Sequence, residues 1–257
     1  MTNQQPEMPP EVLHRYRGPE EVDLGRLEDL LTQNRIWATS PTRFNDPYDC
    51  RARLSFEGED RDWERFLAKQ YAKHSTLPRP QRRREVRTRM KARFWEDPDT
   101  RLEILAGLQA SVDMSSVLCL CESATNPLMW AHYAQGHRGI CLRFATTALP
   151  FSKAVHIRYQ IDYPSASFMA EAEEQIQACL LTKAEWWSYE REWRLVAYKQ
   201  GEGYWPIADN ALKAVILGMK TDQQLKDKVR RLCSTRNPPV EVLQAMPGPD
   251  TYELEIV

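Results

Sequence analysis

Lys183-Ala-Glu-Trp-Trp-Ser-Tyr-Glu-Arg-Glu-Trp-Arg-Leu-Val-Ala-Tyr198 interleaves charged and large aromatic side chains more tightly than any other stretch of the chain, and it runs into a strand-like segment. With a strand beginning near Glu192, period-2 alternation puts Glu192, Arg194, Val196 and Tyr198 on one face and Trp193, Leu195 and Ala197 on the other. Glu190 then stands on the Glu192 side, one strand step earlier. Two carboxylates facing one way beside an arginine make either a reaction centre or a buried ion-pair hub. In the second case Glu190 and Glu192 pair with Arg191, Arg194 or a more distant arginine. Trp186, Trp187, Trp193 and Tyr198 are then core or rim aromatics.

Upstream, Val12 to Arg17 reads as a first strand, with His14 and Tyr16 on one face and Arg15 and Arg17 on the other. Residues 1–11 before it read as a flexible tail. Leu24, Leu27, Leu30 and Leu31 recur at helical spacing with Asp23 as a cap, which predicts a helix over 24–33. Residues 35–40 return to a strand pattern that stops at Pro41. Phe44-Asn-Asp-Pro-Tyr-Asp49 is a dense polar turn in which Asn45 and Asp46 can accept backbone N–H bonds. Such a loop either only turns the chain or also forms one wall of a ligand pocket.

Residues 59–110 change character. Helical patterns over 63–72, 81–95 and 102–108, broken at Leu77-Pro-Arg-Pro80, predict a helical insertion rather than an independent domain. Arg79, Arg82, Arg83, Arg84, Arg87, Arg89, Lys91 and Arg93 form its basic run against a single Glu85. At 3.6 residues per turn these charges spread around a helix, as a solvated or acid-paired surface or as a contact for a macromolecular acceptor. Beyond the insertion, strands are expected at 116–121, 140–144, 154–159, 214–218, 240–245 and 252–257. Helices are expected at 128–134, 168–183 and 222–233. The pattern is that of an α+β fold with a mixed, mainly antiparallel sheet and flanking helices, one domain spanning 12–257.

Hydrophobic residues at 42% and charged residues at 28% fit a soluble globular protein, and a net charge of -1 gives no global attraction to nucleic acid or anionic lipid. Any such binding needs a local patch. The six cysteines do not read as a disulfide framework without a secretory leader, and no apolar run approaches a spanning helix. A cytoplasmic protein with no membrane contact is therefore expected.

Gly-x-Gly-x-x-Gly, Gly-x-x-x-x-Gly-Lys, His-Glu-x-x-His and Gly-x-Ser-x-Gly are absent, which demotes dinucleotide-fold enzymes, loop-type NTPases, zinc proteases and serine hydrolases. Cys119-x-Cys121 is too closely spaced for a zinc knuckle and fits two core-filling thiols on one strand face. A cysteine–histidine pair of Cys119 or Cys141 with His132 or His137 is the nucleophilic alternative. In Asn126-Pro-Leu-Met-Trp-Ala-His-Tyr133 a helix brings Met129 beside Tyr133 and Leu128 beside His132. His132 is there either structural or a ligand contact, and Trp130 and Tyr133 offer flat walls for an aromatic ring.

Four segments resemble the prokaryotic domain-of-unknown-function family 2971: Leu13 to Arg17, Ile36 to Asp49, Leu128 to Gly139, and Trp187 to Arg194. Val215-Ile-Leu-Gly218 adds to the match. Where that family often has Cys-Phe-Ser-Glu, this chain has Cys119-Leu-Cys-Glu122. The motif order more distantly resembles ADP-ribosyltransferases, which carry a first-strand arginine or histidine, a serine-bearing second strand and a glutamate at a later strand. Arg15 or His14, Thr39-Ser40 and Glu190-x-Glu192 take those places, although Thr39-Ser40 follows Arg15 unusually soon and Asn45-Asp46 has no counterpart. This second resemblance implies a split sheet and NAD as cofactor.

On that reading Glu192 accepts from a ribose hydroxyl and stabilises an oxocarbenium-like centre, and Glu190 is the acceptor-side base or an orienter. Arg15 holds a phosphate or the buried acid, Ser40 orients the strand or the ribose, Tyr133 or Trp130 packs on nicotinamide, and Arg194 eases burial of the acids. The acceptor, protein or nucleic acid, is not legible. One alternative is a metal-dependent nuclease or phosphotransferase built from Asp46, Asp49, Glu190 and Glu192. Another is a non-enzymatic binding module whose polar core specifies the fold.

Overall fold

The computed structural model describes residues 8–20 and 25–257. Its strands are β1 (Val12–Arg17), β2 (Arg35–Ala38), β3 (Arg53–Ser55), β4 (Ser116–Cys121) and β5 (Ile140–Ala145) in the first half. They continue with β6 (Val155–His156), β7 (Arg158–Gln160), β8 (Ser165–Ser167), β9 (Thr182–Ala184), β10 (Glu192–Ala197), β11 (Gly203–Pro206), β12 (Leu212–Leu217), β13 (Glu241–Pro247) and β14 (Leu254–Ile256). The helices are α1 (Arg26–Gln33), α2 (Asp60–His74), α3 (Arg79–Ala92), α4 (Pro98–Asp113), α5 (Pro127–Tyr133), α6 (Ala172–Leu180) and α7 (Gln223–Thr235).

An open sheet of order β14-β13-β12-β5-β1-β4-β10-β6 spans the molecule, antiparallel throughout except for the parallel pair β12–β13. The fold is mixed α/β around this mainly antiparallel sheet. Alternation assigns its faces. Leu13, Leu120, Leu142, Trp193, Leu195 and Val215 point to one side, where Leu27, Leu30 and Leu31 of α1 and Leu225 and Val229 of α7 cover them. Tyr16, Cys121, Cys141 and Ile216 point to the other, where Met129 and Trp130 of α5 pack. Next to them Val117 meets Val112 of α4 and Cys179 and Leu180 of α6.

Helix starts follow local chemistry. Asn126 accepts from Leu128 N ahead of Pro127, Asp97 accepts from Thr100 N ahead of Pro98, and Asp222 accepts from Leu225 N at α7. The expected cap Asp23 and residues 1–7 of the expected tail lie outside the described residues. Helices α2 and α3 pack around a separate aromatic cluster in which Trp63 stacks on Trp95 at 4.3 Å. Among the described residues no helix is long and apolar enough to cross a membrane.

Several expected elements are divided. The strand expected at 154–159 becomes β6 and β7, because the chain changes partners at Ile157: its N–H reaches Glu192 O, and Arg158 N–H reaches Leu181 O. The helix expected over 168–183 covers only Ala172–Leu180, and the chain beyond it pairs in parallel with β7 as β9. Residues Glu185–Glu190 form a 3₁₀ turn, and Arg191 at φ 44° sets it off from β10. The second strand stops at Ala38, with Thr39 in an isolated bridge to Val117.

Gly139 and Gly218 permit the close approach of three chain segments. A Cβ on Gly139 would sit 1.9 Å from Arg17 O, and one on Gly218 would sit 2.3 Å from His137 O. The turn after α5 thus enters β5 against the end of β1 with no room for a methyl group. Gly139→Ala is expected to destabilise the fold by about 3 kcal/mol, the upper range for overpacking, read as a fall in the urea midpoint.

Candidate functional site

The site begins where the sheet opens. Strands β1 and β4 share one ladder position, His14 opposite Cys121, and four residues earlier on β4 the same edge bridges Thr39 instead. Between these contacts the strands diverge around a cavity of about 300 Å³. With no neighbour filling the ladder, consecutive residues of β1, His14 to Arg17, line it. Thr39, Arg43, Phe44 and Asn45 form one wall, Cys119 to Cys121 another, and Met129, His132 and Tyr133 of α5 a third. Asp49, Lys183, Glu190 and Glu192 close the cavity.

Three acids there face two cations. Lys183 Nζ donates to Glu190 Oε2 at 2.5 Å and to Glu192 Oε2 at 3.0 Å, and it lies 3.7 Å from Asp49 Oδ2. Arg194 Nε donates to Glu192 Oε1 at 2.7 Å, and its Nη2 donates to Asp49 Oδ2 at 2.7 Å and Glu192 Oε2 at 3.1 Å. Its Nη1 is taken by Leu180 O and Cys50 Sγ. All five residues are buried. Tyr133 O–H donates to Glu190 Oε1 at 2.6 Å, so that acid has one partner on each oxygen.

The two glutamates are driven apart. Burial pushes Glu190 above the ordinary carboxylate value and repulsion from Glu192 adds to it, with Lys183 only partly opposing. Burial also disfavours charge on Glu192, but Arg194 and Lys183 together outweigh it and hold that carboxyl well below the usual range. Lys183 is likewise kept protonated against its burial by Glu192, Glu190 and Asp49. Glu192 is therefore a fixed negative charge, and Glu190 is the acid that retains a proton more readily.

The other expected residues separate clearly. Arg15 is 5% exposed, lines the cavity, and has a buried Nη1 with no hydrogen-bond partner. His14 also lines it, but Nδ1 is bound to Glu122 O at 3.0 Å and Nε2 to Arg143 Nε at 3.2 Å. Burial and the Arg143 charge lower His14 to about 4, so the ring is neutral and its nitrogens are engaged. His132 is exposed at the mouth, its ring 6.4 Å from those of Trp187 and Tyr189.

Four expected residues stand back from the cavity. Trp130 is fully buried, bonds Ala124 O through Nε1 and meets Tyr16 edge-on, so the flat wall falls to Tyr133 rather than Trp130. Ser40 donates to Asp113 O and caps Thr42 N, which leaves Thr39 as the residue of this pair that lines the cavity. Asp46 accepts from Tyr48 N and from Trp187 Nε1, pinning the polar turn to the tryptophan segment. Arg194 is 0% exposed, with its donors engaged by Glu192, Asp49 and Leu180 O. Asn45 lines the cavity and is exposed.

Lys183 is the central residue that the pattern of acids did not single out, although it begins the stretch that contains them. Among the described residues no group of three or more His, Cys, Asp or Glu is arranged to hold a metal ion; Lys183 and Arg194 occupy the space between the acids instead. Burial raises the thiols of Cys119, Cys121 and Cys141, which keeps them protonated and poor nucleophiles.

The family model described as Protein of unknown function (DUF2971) matches residues 129–195. That span runs from α5 into β10 and carries His132, Tyr133, Lys183, Glu190, Glu192 and Arg194; Arg15 and Asp49 lie outside it. No curated protein and no solved structure matches the chain.

Two measurements probe the network. Lys183→Met leaves the buried acids with one cation and is expected to cost about 3–5 kcal/mol in denaturant unfolding, the range for breaking a buried pair. Glu190, raised above 4.5 in the fold, contributes stability that is complete below pH 4.5 and is lost as pH rises through its folded-state value. The stability of the native protein relative to Glu190→Gln is accordingly expected to be greatest below pH 4.5 and to shrink on raising the pH through that value.

Proposed function

We propose that the cavity between β1 and β4 is the active site of a glycosyl-transferring enzyme with NAD as donor, acting on a protein or nucleic-acid acceptor. The observation that carries this reading is the pair of carboxylates sharing one lysine at the cavity wall, one held ionised and the other raised. Two titratable groups pushed in opposite directions are the usual arrangement for dividing proton transfer from charge stabilisation.

Bound NAD would supply a ribose carbon to which the acceptor bonds as nicotinamide leaves, with positive charge on the sugar in between. Glu192, ionised behind the cavity, favours that charge through space. Glu190 takes the proton of the acceptor, and Tyr133 and Lys183 hold its carboxyl in place while it does so. These are the roles expected from the sequence, except that Glu192 acts through space and not on a ribose hydroxyl, since both its oxygens are committed to Arg194 and Lys183. The unpartnered Nη1 of Arg15 takes an anionic group of the donor. His132, Trp187 and Tyr189 give its ring an aromatic rim. At about 300 Å³ the cavity is at the small end of ligand sites, about 300–1,000 Å³, and takes the reacting end of the donor with the remainder at the mouth.

A second reading, a binding module without turnover, is favoured by the full engagement of Arg194 and Glu192 in holding the fold. Release of nicotinamide and transfer of label from NAD, measured beside calorimetric binding, separate the two. Turnover is expected to fall about 10²–10⁴-fold in Glu190→Gln, the range for losing a general base, with NAD affinity retained at a temperature where the variant is fully folded. Binding without turnover by the native chain would establish the second reading, and absence of NAD binding would remove NAD from both.

A further inference from the structure

Helix α3 carries Arg79, Arg82, Arg83, Arg84, Arg87, Arg89 and Lys91 against one acid, Glu85. Packing decides which of these face outward. Val86 is buried in the Trp63–Trp95 cluster, and Arg82 and Met90, one turn to either side, are half-buried. The remaining six cations are exposed. Arg79, Arg83, Arg87 and Lys91 follow each other at four-residue intervals, a ridge of about 18 Å at about 1.5 Å per residue. Arg79, Arg83, Arg84 and Arg87, with Pro80, line an open groove of about 380 Å³.

No cation of this helix forms an ion pair with a described residue, whereas Lys69 and Lys73 before it and Arg93 after it all do. Neighbouring guanidinium and ammonium groups at i,i+4 repel one another, so the ridge holds positive charge that no described residue pairs. It sits on a helix whose apolar residues already face the protein.

We propose that this face of α3 docks the phosphate backbone of double-stranded nucleic acid. Three properties select that partner. The cations are spaced along a rigid axis by about 6 Å, within reach of a backbone that presents one charge per about 1.7 Å of duplex. Most of them are arginines, whose planar fork grips phosphate with two donors. The helix exposes neither an apolar stripe for entering a lipid surface nor an aromatic side chain for stacking unpaired bases, since Val86 and Met90 point inward. Recognition is therefore of charge and shape, with no dependence on base sequence.

Fluorescence anisotropy of the full chain with short labelled DNA and RNA duplexes of unrelated sequence, titrated over a salt series, tests this. Micromolar affinity at low salt is expected, with a log–log salt slope of about −4 for four to five phosphates. The triple variant Arg83→Gln, Arg87→Gln, Lys91→Gln is expected to bind roughly tenfold more weakly or worse and to flatten the slope by about 2–3. Its melting temperature should be unchanged, because the three side chains are exposed. Arg231→Gln, an exposed cation on α7, serves as the matched control and should bind as the native chain does. Absence of duplex binding at low salt, or equal binding by the triple variant, overturns the proposal. So does tighter association with phosphatidylserine vesicles than with either duplex.

Discussion

A single ammonium group, Lys183 Nζ, sits among the carboxylates of Glu190, Glu192 and Asp49, and the geometry of the candidate site depends on it. These acids come from three separate pieces of chain: the polar turn after β2, the end of a 3₁₀ turn, and the first residue of β10. Without an intervening cation they would repel one another in a region of low dielectric. Lys183 reaches them from β9, which pairs in parallel with β7. The left-handed Arg191 then turns the chain so that Glu190 and Glu192 address the same Nζ.

The network borders a gap in the sheet. A continuous ladder between β1 and β4 would fill the cavity with paired backbone. Instead the β4 edge is divided between His14 at one end and Thr39 at the other. The second strand is drawn away into a ribbon with β11, where Trp37 meets Tyr204 at 5.0 Å. What remains between the two contacts is bordered by β1 and β4, by the turn after β2 and by α5, with the acids and Lys183 closing it.

Much of the sheet was legible because its strands are buried on both faces or alternate cleanly, as in β1, β4, β5 and β12. Helix α7 was legible from Leu225, Val229 and Cys233 behind the Asp222 cap. Strands β3, β8, β9 and β11 were not, since each is three or four residues long and exists through a partner distant in sequence. The same limit applied to the site. Spacing placed Glu192 and Arg194 on one face, but not the depth at which Arg194 lies, because depth comes from Asp49, Leu180 and Cys50 in other segments. Periodicity in the short helix α5 did not show which of Trp130 and Tyr133 faces the core. Trp130 does so because its indole N–H finds Ala124 O, while Tyr133 keeps its hydroxyl for Glu190.

The difference between the two glutamates follows from where each stands relative to the cations. Glu192 opens β10 and receives Arg194 from two positions along its own strand face, with Lys183 on the remaining side. Pairing wins over burial there, and the carboxyl stays charged. Glu190 ends a turn, shares the lysine as one of its acceptors, and has a phenol rather than a second cation on its other oxygen. A phenol hydrogen bond stabilises the charge less than a guanidinium does, so burial wins and the proton is held more tightly. One lysine between two acids thus produces two different groups because only one of them also has an arginine. Glu190 is accordingly the acid of this wall whose charge is the less firmly held, while Glu192 joins Asp49 in fixing Arg194.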